Sequence, residues 1–185
     1  KTVTEEKWQS FYDNCALSDI KQSTVLQYGI VCSRADVRAL PTDEEVYTDA
    51  ENRQNDEFQD TALAVNEPVL VVHTSKDNEW FYVIAEEYAG WTRVENIGLC
   101  TKQEWTAARN VNRFLVVTGD RLEFHTRQSE PFSGDYTFTM GTRLALAENR
   151  EWQQSVTEGA VRDNYVVKVP VRSEDGTLAY DFLQI

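Results

Sequence analysis

The chain has 185 residues, 41% hydrophobic and 11% aromatic, which suffices for a core and fits either one large domain or two small ones. Its 18 Lys and Arg face 31 Asp and Glu, a formal charge of −13 with no dense basic cluster, which argues against a nucleic-acid partner. No apolar run approaches the ~20 residues of a membrane helix, so no membrane span is expected. Cys15, Cys32 and Cys100 are too few and too scattered for a disulfide framework, and they read as buried thiols.

In chain order, residues 4–17 place Trp8, Phe11, Tyr12 and Cys15 at i, i+3, i+4 and i+7 spacing behind a Thr4 N-cap, with acids in the first turn; this predicts a short amphipathic helix. An extended β-branched run around Tyr28-Gly29-Ile30-Val31-Cys32 follows, leading through Val37-Arg38 to a turn at Leu40-Pro41-Thr42. Helix and strand together read as an N-terminal brace. The acidic stretch DEEVYTDAENRQNDE has few apolar residues to offset its ordering entropy, so irregular structure is expected there.

From Phe58 the β signals are dense, and the segment 71–92, VVHTSKDNEWFYVIAEEYAGWT, is the most informative part of the chain. It reads as an apolar strand, a turn at Ser75-Lys76-Asp77-Asn78, a strand led by Trp80, a second turn and Gly90-Trp91. Short strands of this kind form a small sandwich or barrel. Residues 101–110 read as a helical linker, and a second β set starts at Phe114 and runs through Leu144-Ala145-Leu146 and 165–171 to 178–182. The halves share a loose order of strands that suggests duplication of one barrel type, and the chain stops at Ile185 inside an expected strand, as a piece of a longer protein would.

Little else carries chemistry. Phosphate-binding glycine loops, a Ser-His-Asp order and dinucleotide fingerprints are absent, and no cofactor or metal is expected. The run 49–60 lacks the alternating acids and central Gly of a calcium loop, and His73 and His125, the only histidines, fall in expected hairpins without zinc spacing. Trp80 and Trp91 read first as barrel core and second as ligand-gripping rings.

Several segments together resemble the bacterial cell-wall cysteine peptidases of the NlpC-type family that carry SH3-like domains ahead of the catalytic domain. They are Val37-Arg38-Ala39-Leu40-Pro41-Thr42, Phe58-Gln59, Asn66-Glu67-Pro68-Val69, His73-Thr74-Ser75-Lys76-Asp77 with Trp80, and Gly90-Trp91. In the second half they are 114–120, Met140-Gly141-Thr142 and 165–171 with Asp175-Gly176. The resemblance implies a mainly β chain of two SH3-like barrels in tandem behind a short helical brace, divided at 1–36, 37–100 and 101–185. It implies an extracytoplasmic place in the envelope, peptidoglycan stem peptides as ligands, and a downstream peptidase domain of the parent as an intramolecular partner. No cysteine here has a nucleophile's context, so the chain alone is expected to be non-catalytic.

In such proteins the first SH3-like domain lends an aromatic and an acid near the free amino end of the stem peptide. The matching residues here are Tyr88 with Glu86 and Glu87, and, as further ligand-binding candidates, Asp77 and Trp91. An ammonium in a restricted cleft calls for a carboxylate and a group that fixes its direction. The competing reading of the whole chain is a stand-alone extracytoplasmic module that binds peptidoglycan or a protein without any peptidase. A carboxylate glycosidase would need two facing acids at a set separation, which the sequence does not display.

Overall fold

The computed structural model describes residues 3–48, 55–125, 135–148 and 165–185. Residues 49–54 of the acidic run, residues 126–134, where the sequence suggests an ordinary connection at Ser129-Glu130-Pro131, and residues 149–164 lie outside them. Helix α1 spans Glu5–Asn14; the Thr4 hydroxyl accepts from the Lys7 amide at 3.3 Å, and Glu5 and Glu6 occupy the positive N-terminal turn.

Seven strands follow and build one antiparallel sheet: β1 (Gln27–Val31), β2 (Ala35–Arg38), β3 (Gln59–Leu63), β4 (Pro68–Thr74), β5 (Trp80–Ile84), β6 (Ala89–Arg93) and β7 (Ile97–Cys100). Their order is β3-β2-β6-β5-β4-β1-β7. The strand that the sequence grouped with α1 is therefore an inner strand, paired on one side with β4 and on the other with β7. Register shifts between Val37 and Arg38 and between Val71 and His73 bend the sheet so that one face closes over Val31, Val37, Val69, Val71, Val83 and Ile97. The Gly-Trp signal has a steric origin. A Cβ at Gly90 would stand 2.6 Å from Val37 Cγ1 and 3.0 Å from the Arg38 carbonyl oxygen, so β6 can cross β2 only without a side chain there.

Helix α2 (Lys102–Arg109) opens on a capping box in which Thr101 and Glu104 satisfy each other's amides. Its Trp105 donates from Nε1 to the Val69 carbonyl at 3.0 Å and rests on Tyr28, which fixes the link against the first sheet. Beyond it come β8 (Phe114–Val116), β9 (Arg121–His125), β10 (Asp135–Thr139), β11 (Arg143–Leu146), β12 (Val166–Arg172) and β13 (Leu178–Gln184). They pair as a four-stranded sheet, β13-β12-β11-β8, and a two-stranded one, β10-β9, around Phe138, Leu144, Val167 and Val169. The Tyr136 hydroxyl donates to Asp181 at 2.8 Å, tying the hairpin to the larger sheet.

The fold is mainly β with an N-terminal helix, as the sequence led us to expect. Among the described residues strand pairing closes no ring in either half; β3 and β7 stand at the ends of the first sheet, and the second half is divided between its two sheets. The halves are also joined. Val65, from the turn between β3 and β4, is buried in the second core, Asn66 Nδ2 donates to the Arg143 carbonyl at 2.9 Å, and the Leu99 amide donates to the Gly176 carbonyl at 3.0 Å.

Candidate functional site

At one end of the first sheet the β5–β6 turn is closed by the Ala85 amide donating to the Tyr88 carbonyl at 2.8 Å. It projects Glu86 and Glu87 into solvent and leaves Tyr88 42% exposed. The turn between β3 and β4 lies alongside, because the register Leu70↔Ile84, continued past the strand ends, brings residue 67 beside 86 and 87. Glu67 is half-buried there, and its Oε1 accepts from the Ala64 amide at 2.8 Å. Burial, and then the charges of Glu87 and Glu86, push its carboxyl above the usual carboxylate range against the restraining Ala64 hydrogen bond.

Asp60 on β3 faces Tyr88; loss of hydration, then the Asp60 charge and hydrogen bond, raise the phenol's pKa. The end of the sheet thus gathers acids around one phenol, and among the described residues no Lys or Arg forms an ion pair with any of them. A half-buried acid repelled by its neighbours marks this end of the sheet as a candidate functional site. Glu67→Gln, which keeps the acceptor for the Ala64 amide, should raise the midpoint of thermal unfolding at pH 7 by about 2 °C. The sign follows from the raised pKa. The folded chain holds the Glu67 proton more tightly than the unfolded chain, so stability is lost as pH rises through the folded pKa, and the advantage of Gln should vanish toward pH 4.

The other sequence candidates lie elsewhere. Asp77 occupies the β4–β5 turn, at the opposite end of β5 from Tyr88. Burial raises its pKa, but Ser75, the Glu79 amide and Asn14 outweigh that and hold the carboxylate below its usual range. Its oxygens are taken by these local donors, with Asn14 Nδ2 at 2.9 Å and the Glu79 amide at 3.0 Å. Trp91 is 3% exposed, set edge-on to Tyr82 at 5.4 Å and His73 at 5.9 Å beside Trp80 and Cys15. The structure therefore brings Glu86, Glu87 and Tyr88 together, separates Asp77 from them and buries Trp91. It adds Glu67 and Asp60, which sequence reasoning did not place at the site; their only signal was the strand register that aligns the two turns.

The three cysteines are free thiols. Burial pushes Cys32 up to about 12 and Cys100 up to about 11, and raises Cys15 as well. His73 stands with Nε2 at 2.9 Å from the Cys15 carbonyl oxygen rather than engaging the thiol. None of the three has the activation a thiolate nucleophile requires. Among the described residues no cluster of His, Cys, Asp or Glu could hold a metal ion.

Residues 45–93, containing both turns of the acidic end, match the family model described as SH3 domain (SH3b1 type). That segment thus resembles an SH3 domain of the SH3b1 type. Among solved structures, the chain is similar to one described as a novel NlpC/P60 endopeptidase from Photobacterium damselae subsp. piscicida, with a TM-score of 0.73 and 20% sequence identity. The alignment covers 98% of this chain and 37% of the endopeptidase, so the likeness is one of fold and spans little more than a third of that protein. No curated protein matches.

Proposed function

We propose that this chain is the non-catalytic SH3-like region of a bacterial peptidoglycan stem-peptide hydrolase, divided into an N-terminal segment (1–36) and two SH3-like domains (37–100 and 101–185). In this reading it acts outside the cytoplasm, targets the wall and shapes the substrate site of a cysteine peptidase domain that the chain does not itself contain. The observation that carries the proposal is the acidic end of the first sheet: Glu67, Glu86 and Glu87 beside Tyr88 suit the free ammonium of a stem peptide, with the phenol fixing its direction. The SH3b match and the likeness to the endopeptidase support the architecture.

An ammonium bound at this end would relieve the repulsion on Glu67 while remaining too exposed, on the chain alone, for high affinity. A second domain packed over the turns would desolvate the same contacts and strengthen them. The proposal therefore predicts no stem-peptide cleavage by the purified chain, and tighter peptide binding once a peptidase domain is joined to it. Cleavage by the chain that disappears when Cys15, Cys32 or Cys100 is replaced would refute the non-catalytic reading. Equal affinity with and without a peptidase domain would favour a stand-alone binding module instead.

A further inference from the structure

Glu67 sits at the end of a turn that local hydrogen bonds close and the second half of the chain holds. Ala64 to Glu67 connect β3 to β4, with the Glu67 amide donating to the Ala64 carbonyl at 3.2 Å and Asn66 in the left-handed region at φ +74°. Val31, at the end of β1, brackets the turn. Its carbonyl accepts from the Asn66 amide at 2.9 Å, and its amide donates to the Glu67 carbonyl at 3.0 Å. These bonds fix the backbone, but they do not account for the two side chains at the tip.

Val65 and Asn66 both reach out of their own half. Val65 is 5% exposed, yet it packs not in the first core with Val31, Val69 and Val71 but in the second with Val117, Phe138 and Leu144. Asn66 Nδ2 donates to the Arg143 carbonyl at 2.9 Å. A second tie runs through β7. Val31 pairs with Ile97 at the start of that strand, and further along it the Leu99 amide donates to the Gly176 carbonyl at 3.0 Å. A Cβ at Gly98 would stand 3.1 Å from Leu178 Cα, so β7 lies directly against the second half. The turn is therefore gripped at its tip and, through β1 and β7, at its base.

We infer that the second half of the chain positions Glu67 for the acidic end, with Val65 and Asn66 as the positioning residues. It does so without touching a ligand. With the tip of the turn plugged into the second core, Glu67 is held half-buried beside Glu86 and Glu87, so an ammonium meets carboxylates already in place rather than ordering them on arrival. The inference rests on the reading of the acidic end as the binding site.

The test uses the full chain and no ligand. The Ala64 amide donates to Glu67 Oε1 at 2.8 Å, so its proton resonance follows the Glu67 carboxyl through a pH titration. Val65→Ala should bring that titration down toward the ordinary carboxylate range, because a loosened turn relieves the burial and the repulsion from Glu87 and Glu86 that raise it. Hydrogen exchange at the Ala64 amide should quicken at least about 10-fold. Asn66→Gly, which suits the left-handed backbone and removes only the carboxamide, should move the titration the same way by less. Val167→Ala makes the same deletion in the second core, but on the row of Leu146, three residues along β11 from Arg143; it should leave the Ala64 titration as in the wild type. The inference is overturned if Val65→Ala leaves the titration unchanged or if Val167→Ala lowers it as far. Should Val65→Ala not fold, Asn66→Gly decides, and an unchanged titration there overturns it. A chain that meets these expectations but binds no free-amine stem peptide would count against the stem-peptide reading, while the positioning of Glu67 would stand.

Discussion

Replacing Arg38 by Ala should lower the free energy of unfolding by about 3–5 kcal/mol, because it strands a buried carboxylate. Arg38 and Asp56 are both nearly excluded from solvent, with side chains 8% and 10% exposed, and their ion pair measures 2.7 Å. Arg38 also donates to the Glu44 carbonyl at 2.8 Å, while Asp56 accepts from the amides of Val46 at 2.9 Å and Phe58 at 3.1 Å. Thus a single pair pins both flanks of the acidic loop to β2. Burial works against the Asp56 charge, but the two amides and the guanidinium outweigh it and hold the carboxyl below its usual range. The sign of the pH effect follows. Because the folded pKa is depressed, the stabilisation is present above the unfolded value near 4 and is lost as pH falls through the folded one. Urea unfolding at pH 7 and in a series down to pH 3 should therefore show the wild type and Arg38→Ala converging as the solution becomes acidic. A constant gap would mean that the Asp56 charge is not what Arg38 stabilises.

Trp91→Ala should cost a similar amount, about 3–5 kcal/mol, since it removes one of the two indoles of a small aromatic cluster and leaves a cavity between sheet and helix. Trp91 packs edge-on to both Tyr82 and His73, and α1 closes over it through Cys15. A shift in urea midpoint is expected together with faster hydrogen exchange in α1, because the helix loses part of its seat. Trp91→Phe, which retains most of the edge contacts, should cost much less. A Trp91→Ala chain with wild-type stability but impaired ligand binding would return this ring to the role of a ligand contact.

Local chemistry made much of this fold legible. The Thr4 cap and the spacing of Trp8, Phe11 and Cys15 define α1, and Gly90-Trp91 marks a crossing where β2 leaves no room for a side chain. What depended on long-range pairing was not legible. The run Tyr28-Gly29-Ile30-Val31 looks the same whether it braces a helix or lies between β4 and β7, and only the partners decide. The acidic loop has the composition of an irregular segment, yet its anchor is a contact between Arg38 and Asp56 that no local pattern encodes. The site divides the same way. Glu86, Glu87 and Tyr88 stand in one visible turn, whereas Glu67 and Asp60 join them only through the strand register.

Titrating the chain with a peptidoglycan stem peptide, its amino end either free or acetylated, while following the amide resonances of residues 60, 67 and 86–88, tests the central claim most directly. The free-amine peptide should shift these resonances with a dissociation constant of about 1 mM or weaker. Acetylation should abolish the shifts, and Glu67→Gln combined with Glu87→Gln should reduce them at least about 10-fold. An acetylated peptide that binds equally well, or shifts confined to residues away from this end of the sheet, would contradict the account.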